Sequence, residues 1–240
     1  MITKSQATLA VAIPNLSLTD ALLALQIEDF IRHAQRQMEP IDRRVLQGEK
    51  IPHAEKVFSL FEPHTEWINK GKAGVPVELG LKVCVLESRQ GYILHHRVME
   101  NEADNQIALE MIREAKKKYP SLSACSFDKG FHSPENQLRL AELLDQVILP
   151  KKGRCNKQEQ ERENSPEFRT GRKQHSAVES GINALEVHGL DKCLDHGLEG
   201  FKRYIALAVV ARNIQKMGCE IIQEKRMKQA REKEKQRRQA

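Results

Sequence analysis

Aromatic side chains are scarce in this chain: one Trp, three Tyr and seven Phe in 240 residues. They are not interleaved with the basic runs, which argues against a groove that stacks the bases of a single strand. Cysteine is also sparse. Cys84, Cys125, Cys155, Cys193 and Cys219 are scattered, odd in number and nowhere spaced C-x-x-C. That pattern suggests neither a zinc site nor a disulfide framework, and a reducing cytoplasm is the natural compartment. Long apolar runs are missing too. A membrane-spanning helix needs about 20 apolar residues, and the longest apolar stretch here, Tyr204 to Ala211, has the length of a buried helix. No membrane partner is expected. The N-terminal residues carry one positive charge, Lys4, and no clean small-residue cleavage site before Pro14. They therefore read as an ordinary N-terminal strand or an out-of-family start rather than a secretory leader. No internal repeat is present.

What the chain has in excess is positive charge. Lys and Arg number 39 against 33 Asp and Glu, giving +6 and a pI near 9.0. That balance suits a polyanionic partner. The length is enough to bury a core in one or two domains.

Apolar spacing predicts a helix over 17–39, capped by Ser17 or Thr19, that stops at Pro40. A short basic helix over 42–48 follows, closed by Gly48. Residues 56–61 read as a strand. Residues 78–87 and 92–99 read as two strands joined by a hairpin-like turn at Ser88-Arg89-Gln90-Gly91. A helix is predicted over 101–119 with Ile107, Met111, Ile112 and Ala115 as its apolar stripe. Asp104 reads as a helix cap. A strand over 122–128, a helix over 134–144 and a strand over 146–150 come next. Residues 155–172 are almost wholly polar and read as a loop or exposed helix. Helix dominates beyond Arg172, and the tail from Glu224 reads as a frayed basic helix. This order argues for a mixed sheet covered by helices, an α/β class.

One run carries the most chemical information: Ala124-Cys125-Ser126-Phe127-Asp128-Lys129-Gly130-Phe131-His132-Ser133-Pro134-Glu135-Asn136. It reads as a strand ending in an acid, a glycine turn and a capped helix. Ser133 suits the N-cap, Pro134 the first helical position and Glu135 the first turn. An acid at the C-terminal tip of a strand faces the crevice where open α/β sheets bind ligands. Glu179, 51 residues on (179 − 128), lies in a segment that reads as a helix. A strand-tip Asp and a helix Glu suit divalent ions that drive phosphoryl transfer.

Several pieces together resemble the transposases of bacterial insertion sequences that carry an Asp-Asp-Glu (DDE) catalytic core. They are Phe127-Asp128-Lys129-Gly130-Phe131-His132-Ser133, Val178-Glu179-Ser180 with Gly189-Leu190-Asp191, Gly200-Phe201-Lys202-Arg203-Tyr204, and Leu207 to Asn213. The resemblance spans residues 45 to 218. It implies an RNase H-like catalytic domain over 51–220, preceded by a helical segment over 1–50 and followed by a basic tail over 221–240. It implies Asp128 and Glu179 as ligands of Mg²⁺ or Mn²⁺, with strand cleavage and transfer at the ends of the element. Double-stranded DNA, both transposon ends and target, would be the partner, and a homo-oligomer the DNA-bound state.

The first acid of the triad departs from the family pattern. No Asp follows the strand predicted over 56–61, and Glu66, after His64-Thr65, best matches the place of that acid. Glu62 is the other nearby carboxylate. A first Asp lying upstream of Met1 would make the chain an N-terminally truncated copy. Around the third acid many relatives carry Tyr, Arg and Lys, and at the corresponding helical offsets this chain has Arg172, His175 and Glu186. Protonated His175 could contact a phosphate. His95 and His96 point to opposite faces of a strand and do not share an ion readily. Lys151, Lys152 and Arg154, and separately Lys70 and Lys72, are candidates for sequence-independent phosphate contact. Two other readings remain: a catalytically inactive, truncated remnant that still binds DNA, and a helical nucleic-acid- or partner-binding protein.

Overall fold

Capping chemistry starts several helices of the computed structural model, which describes residues 2–12, 17–69, 76–175, 177–190 and 192–239. The chain divides into two units, residues 1–81 and 82–240.

In the first unit, α1 (Ile2–Ala12) is helical where a strand was expected. Its docking on α2 (Leu18–Leu46) accounts for the difference. Gln6 and Gln35 exchange amide hydrogen bonds of 3.2 and 2.9 Å. The Ser17 hydroxyl oxygen accepts from the Asp20 backbone N–H at 3.3 Å, the expected N-cap. Pro40 does not end the helix, which runs through it to Leu46. The turn beyond the proline is secured from outside. Arg43 donates to Glu49 at 2.7 and 2.8 Å and to Glu55 at 2.5 Å. The Arg43 carbonyl accepts from Gln47 and Glu49, and Gly48, at φ 69°, turns the chain away.

Residues 56–61 form no strand. Aromatic packing holds them in an irregular path. Phe58 lies 5.4 Å from the His53 ring and 5.5 Å from Trp67, and Phe61 meets Phe30 edge-on at 5.9 Å. β1 (Glu66–Asn69) pairs antiparallel with β2 (Val77–Gly80), placing Trp67 opposite Leu79.

The single strand expected over 78–87 breaks after Gly80, whose φ of 153° suits glycine best. The continuation, β3 (Lys82–Glu87), belongs to the second unit and pairs antiparallel with β4 (Ile93–Met99). The predicted turn joins them: the Ser88 N–H donates to the Tyr92 carbonyl at 2.7 Å, and Gly91 sits at φ 85°. α3 (Asp104–Lys118) buries Ile107, Ala108, Met111, Ile112 and Ala115, the expected stripe with one addition. β5 (Ala124–Ser126), α4 (Pro134–Leu143) and β6 (Gln146–Ile148) form a parallel β-α-β unit, with Ala124 opposite Gln146. Its core joins Ile112, Phe127, Leu140, Leu144 and Leu149. Each fully buried side chain of this kind is worth about 1.5–3 kcal/mol.

The polar stretch beyond is helical. Asn156 caps α5 (Lys157–Asn164), accepting from the Glu159 N–H at 2.8 Å while the Glu159 carboxylate accepts from the Asn156 N–H at 2.7 Å. α6 (Pro166–His175) and α7 (Ala177–Leu185) follow, then a wide turn over 186–190 and the 43-residue α8 (Gly197–Gln239). The basic tail continues α8. Val209 of α8 packs with Ile93 and Leu185, and the Asn213 side chain bonds both the N–H and the carbonyl of Ile93 at 2.9 Å. The protein is therefore mixed α/β and rich in helix. Among the described residues its strands make three two-stranded sheets rather than one mixed sheet. β5 and β6 have three residues each, too short to organise a wide ladder. Among the described residues no helix is long and apolar enough to cross a membrane.

Candidate functional site

The parallel ladder decides where Asp128 lies. The Phe127 N–H donates to the Ile148 carbonyl at 2.9 Å, extending the pairing of β5 and β6 one step beyond β5. The next residue, Asp128, leaves the ladder with its side chain 73% exposed. A single tight turn over 129–131 follows, closed by the Phe131 N–H on the Asp128 carbonyl at 3.1 Å. Ser133 then caps α4, accepting from the Asn136 N–H at 3.0 Å.

Asn136 secures this loop from beneath. Its buried amide nitrogen donates to the carbonyls of Asn105 at 2.6 Å and Phe131 at 2.8 Å. This buried amide ties the Asp128 loop to the start of α3. Nothing in the residue pattern singled out Asn136, although it closes the motif. Gly130 lies against the Asp104 carboxylate, where a Cβ would collide. Asp104 is thus not the cap expected. Ala103 holds that position, its N–H bound by the Gln106 side chain at 2.7 Å. Asp104 instead turns toward Lys82, 3.7 Å away, and toward the Gly130 backbone.

His175, the last residue of α6, faces Asp128. Its Nε2 is 3.2 Å from Asp128 Oδ1, and its Nδ1 is 3.0 Å from Ser126 Oγ. The ring is largely buried while the carboxylate is open. When the Ser126 hydroxyl donates to Nδ1, the Nε2–H is left to donate to the carboxylate. The imidazole thus bridges Ser126 and Asp128. Glu179 lies four residues on, exposed in the first turn of α7. Glu66 belongs to the first unit, at the start of β1 opposite Gly80. Among the described residues, no three His, Cys, Asp or Glu side chains form a group able to hold a metal ion.

The basic candidates separate. Lys151 is engaged within the fold: its ammonium donates to both Glu159 oxygens at 2.6 and 2.7 Å, and its backbone N–H to Glu163 at 2.7 Å. Lys152 and Arg154 are exposed. Lys70 and Lys72 lie outside the described residues.

Other ionisable groups of the second unit are mutually compensated. His95 meets Glu114 of α3 at 2.8 Å, while burial, and then His95 and Lys118, lower the pKa of His96. A cleft of about 430 Å³ is lined by His96, Arg97, Glu100, Glu102 and Lys202. Its charges pair as Arg97 with Glu102 at 2.6 Å and Lys202 with Glu100 at 2.8 Å. The thiols of Cys84 and Cys125 are each pushed up to about 12, chiefly by burial, which makes them poor nucleophiles. Glu87 escaped the sequence reading. It ends β3 against the Gly181 backbone of α7, and burial raises its carboxyl above the ordinary range, partly opposed by Arg212 and Lys216. An acid closing an apolar strand was its one sequence signal.

Compared with known proteins, the chain matches no family model, no curated protein and no solved structure.

Proposed function

We propose that this chain is a DNA transposase of the Asp-Asp-Glu kind, with an RNase H-like catalytic unit that cleaves and transfers strands at the ends of an insertion sequence. The observation that carries this reading is the Asp128 carboxylate, open to solvent at the carboxyl end of a parallel strand and faced by an imidazole. That end of an α/β ladder is where polar ligands bind. Carboxylate oxygens are hard donors suited to Mg²⁺ or Mn²⁺. Mg²⁺ takes one or two carboxylates and completes its shell with water and substrate phosphate, so a prebuilt cage of three acids is not required. Asp128 and Glu179 would hold the ion, and Glu66 is the acid that the family resemblance alone offers as a third. When bound, the ion supplies charge stabilisation for the attacking and leaving oxygens of the phosphodiester.

The chain's own residues prepare that step. His175 engages Asp128 Oδ1, and the carboxylate stays open to solvent. Asn136 fixes the turn that follows Asp128. Lys152 and Arg154 offer cationic contacts to the DNA backbone, which position a duplex without reading its sequence. The net charge of +6 favours the same partner.

The test is nicking of supercoiled plasmid in Mn²⁺ or Mg²⁺. Wild type should nick, and Asp128→Asn and Glu179→Gln should each lower the rate by about a hundredfold or more, as loss of a charge-stabilising group in phosphoryl transfer predicts. Glu66→Gln separates a two-acid from a three-acid site. Nicking by both Asp128→Asn and Glu179→Gln at the wild-type rate would place the chemistry elsewhere. A second reading, DNA binding without catalysis, is favoured by the lack of a three-donor group among the described residues. Metal-independent DNA binding with no nicking at all would select it.

A further inference from the structure

The long helix α8 has two unlike faces. On one, Ile205 and Val209 are buried and Asn213 is bonded to β4. On the other, Leu207, Val210, Ile214, Met217 and Ile221 stand between 46% and 64% exposed. Their spacing is three, four, three, four. That is the 3.5-residue period of a coiled-coil seam, in which each apolar knob enters a hole on a facing helix. Scattered apolar residues on a solvated helix have no reason to keep this phase over fifteen residues. Beside the seam, Ala211 and Gly218 leave room for a second backbone.

We infer that α8 pairs along this seam with α8 of a second copy of the chain, in antiparallel orientation. A seam repeated on identical helices is self-complementary, which suits a two-fold dimer. The five side chains offer on the order of 500 Å² per chain, so two copies bury about 1,000 Å², the lower bound for a specific interface. Charge decides the direction. Arg203 continues the seam one step before Leu207, and Glu224 one step after Ile221. A parallel pair would set Arg203 against Arg203 and Glu224 against Glu224. It would also lay the two tails side by side, each with eight basic and two acidic residues between Lys225 and Arg238. An antiparallel pair sets Arg203 of one copy near Glu224 of the other and carries the tails to opposite ends. Arg203 already engages Asp195 at 2.6 Å, and its guanidinium retains further N–H donors for this contact.

The inference is independent of the catalytic reading, and its test uses neither DNA nor metal. Sedimentation velocity of the full chain over a range of concentrations should show a monomer–dimer equilibrium. Ile214→Asp should weaken it by about tenfold or more, since the seam would bury an unpaired charge. Gln215→Asp, exposed beside the seam, should leave it unchanged. Circular dichroism of both variants controls for folding. Direction is read by oxidising Leu207→Cys and Ile221→Cys proteins in a Cys219→Ser background. In an antiparallel pair the mixture cross-links and neither protein does so alone. A wild type that stays monomeric, or a dimer indifferent to Ile214→Asp, overturns the interface. Efficient self-cross-linking of each single-cysteine protein overturns the orientation.

Discussion

At the scale of single residues, the second unit spends its buried polar groups on holding backbone in place. Asn136 donates to the carbonyls of Asn105 and of nearby Phe131, and Asn213 satisfies both backbone groups of the distant Ile93. Glu87 is the costly exception. Burial keeps its carboxyl protonated to higher pH in the folded chain than in the unfolded chain, with Arg212 and Lys216 opposing less strongly. The unfolded chain therefore releases this proton first, and stability falls as pH rises through and above the ordinary carboxylate range. Glu87→Gln should accordingly raise the melting temperature at pH 7, and the gain should vanish near pH 4. Thermal melts of both proteins across that interval check it; a gain that instead grows toward acid pH would reverse the assignment. The Asp128 turn was legible in the residues because caps, prolines and glycines act within four positions. The His175 partner was not, since it lies 47 residues away (175 − 128) on a helix whose polar sequence marks no buried face.

At the scale of elements, local pattern located most segments and missed where they join. Ser17 and Ser133 cap their helices, and the stripe of α3 is buried. Pro40 misled, because its penalty is local and the ion pairs of Arg43 with Glu49 and Glu55 are not. A proline inside a helix removes one backbone hydrogen bond and costs about 3 kcal/mol. Pro40→Ala should therefore stabilise α2, by about 1–3 kcal/mol after the larger entropy of the unfolded variant is counted. Chemical denaturation followed by helix signal is the check, and a destabilised variant would mean that the proline bend is itself needed. The strand expected over 78–87 failed for a related reason. Its residues favour extended chain throughout, yet Gly80 allows a break and different partners claim the two halves.

At the scale of the whole molecule, positive charge is concentrated at the C-terminal end of α8, a helix roughly 65 Å long at 1.5 Å per residue. A duplex bound by that tail releases counterions in proportion to the phosphates neutralised. Truncation after Gln223 should weaken DNA binding at low salt and flatten the dependence of log K on log salt concentration by several units, for the eight basic residues lost. Fluorescence anisotropy with one duplex at several salt concentrations measures both. An unchanged slope would show that the tail stays solvated and that the contacts lie on the body of the second unit.

What the sequence determined by itself was local: the caps at Ser17 and Ser133, the α3 stripe, the Asp128 turn, the α/β class and the excess of positive charge. Each follows from steric and hydrogen-bonding rules that operate over a few residues, or from composition. The tertiary structure alone decided that β1 pairs with β2 and β5 with β6, that 56–61 stays irregular, that Lys151 is neutralised by Glu159, that His175 meets Asp128, and that the seam of α8 stays open while its other face is covered. Those outcomes depend on which distant segment removes water from a given side chain, and no local spacing encodes that choice.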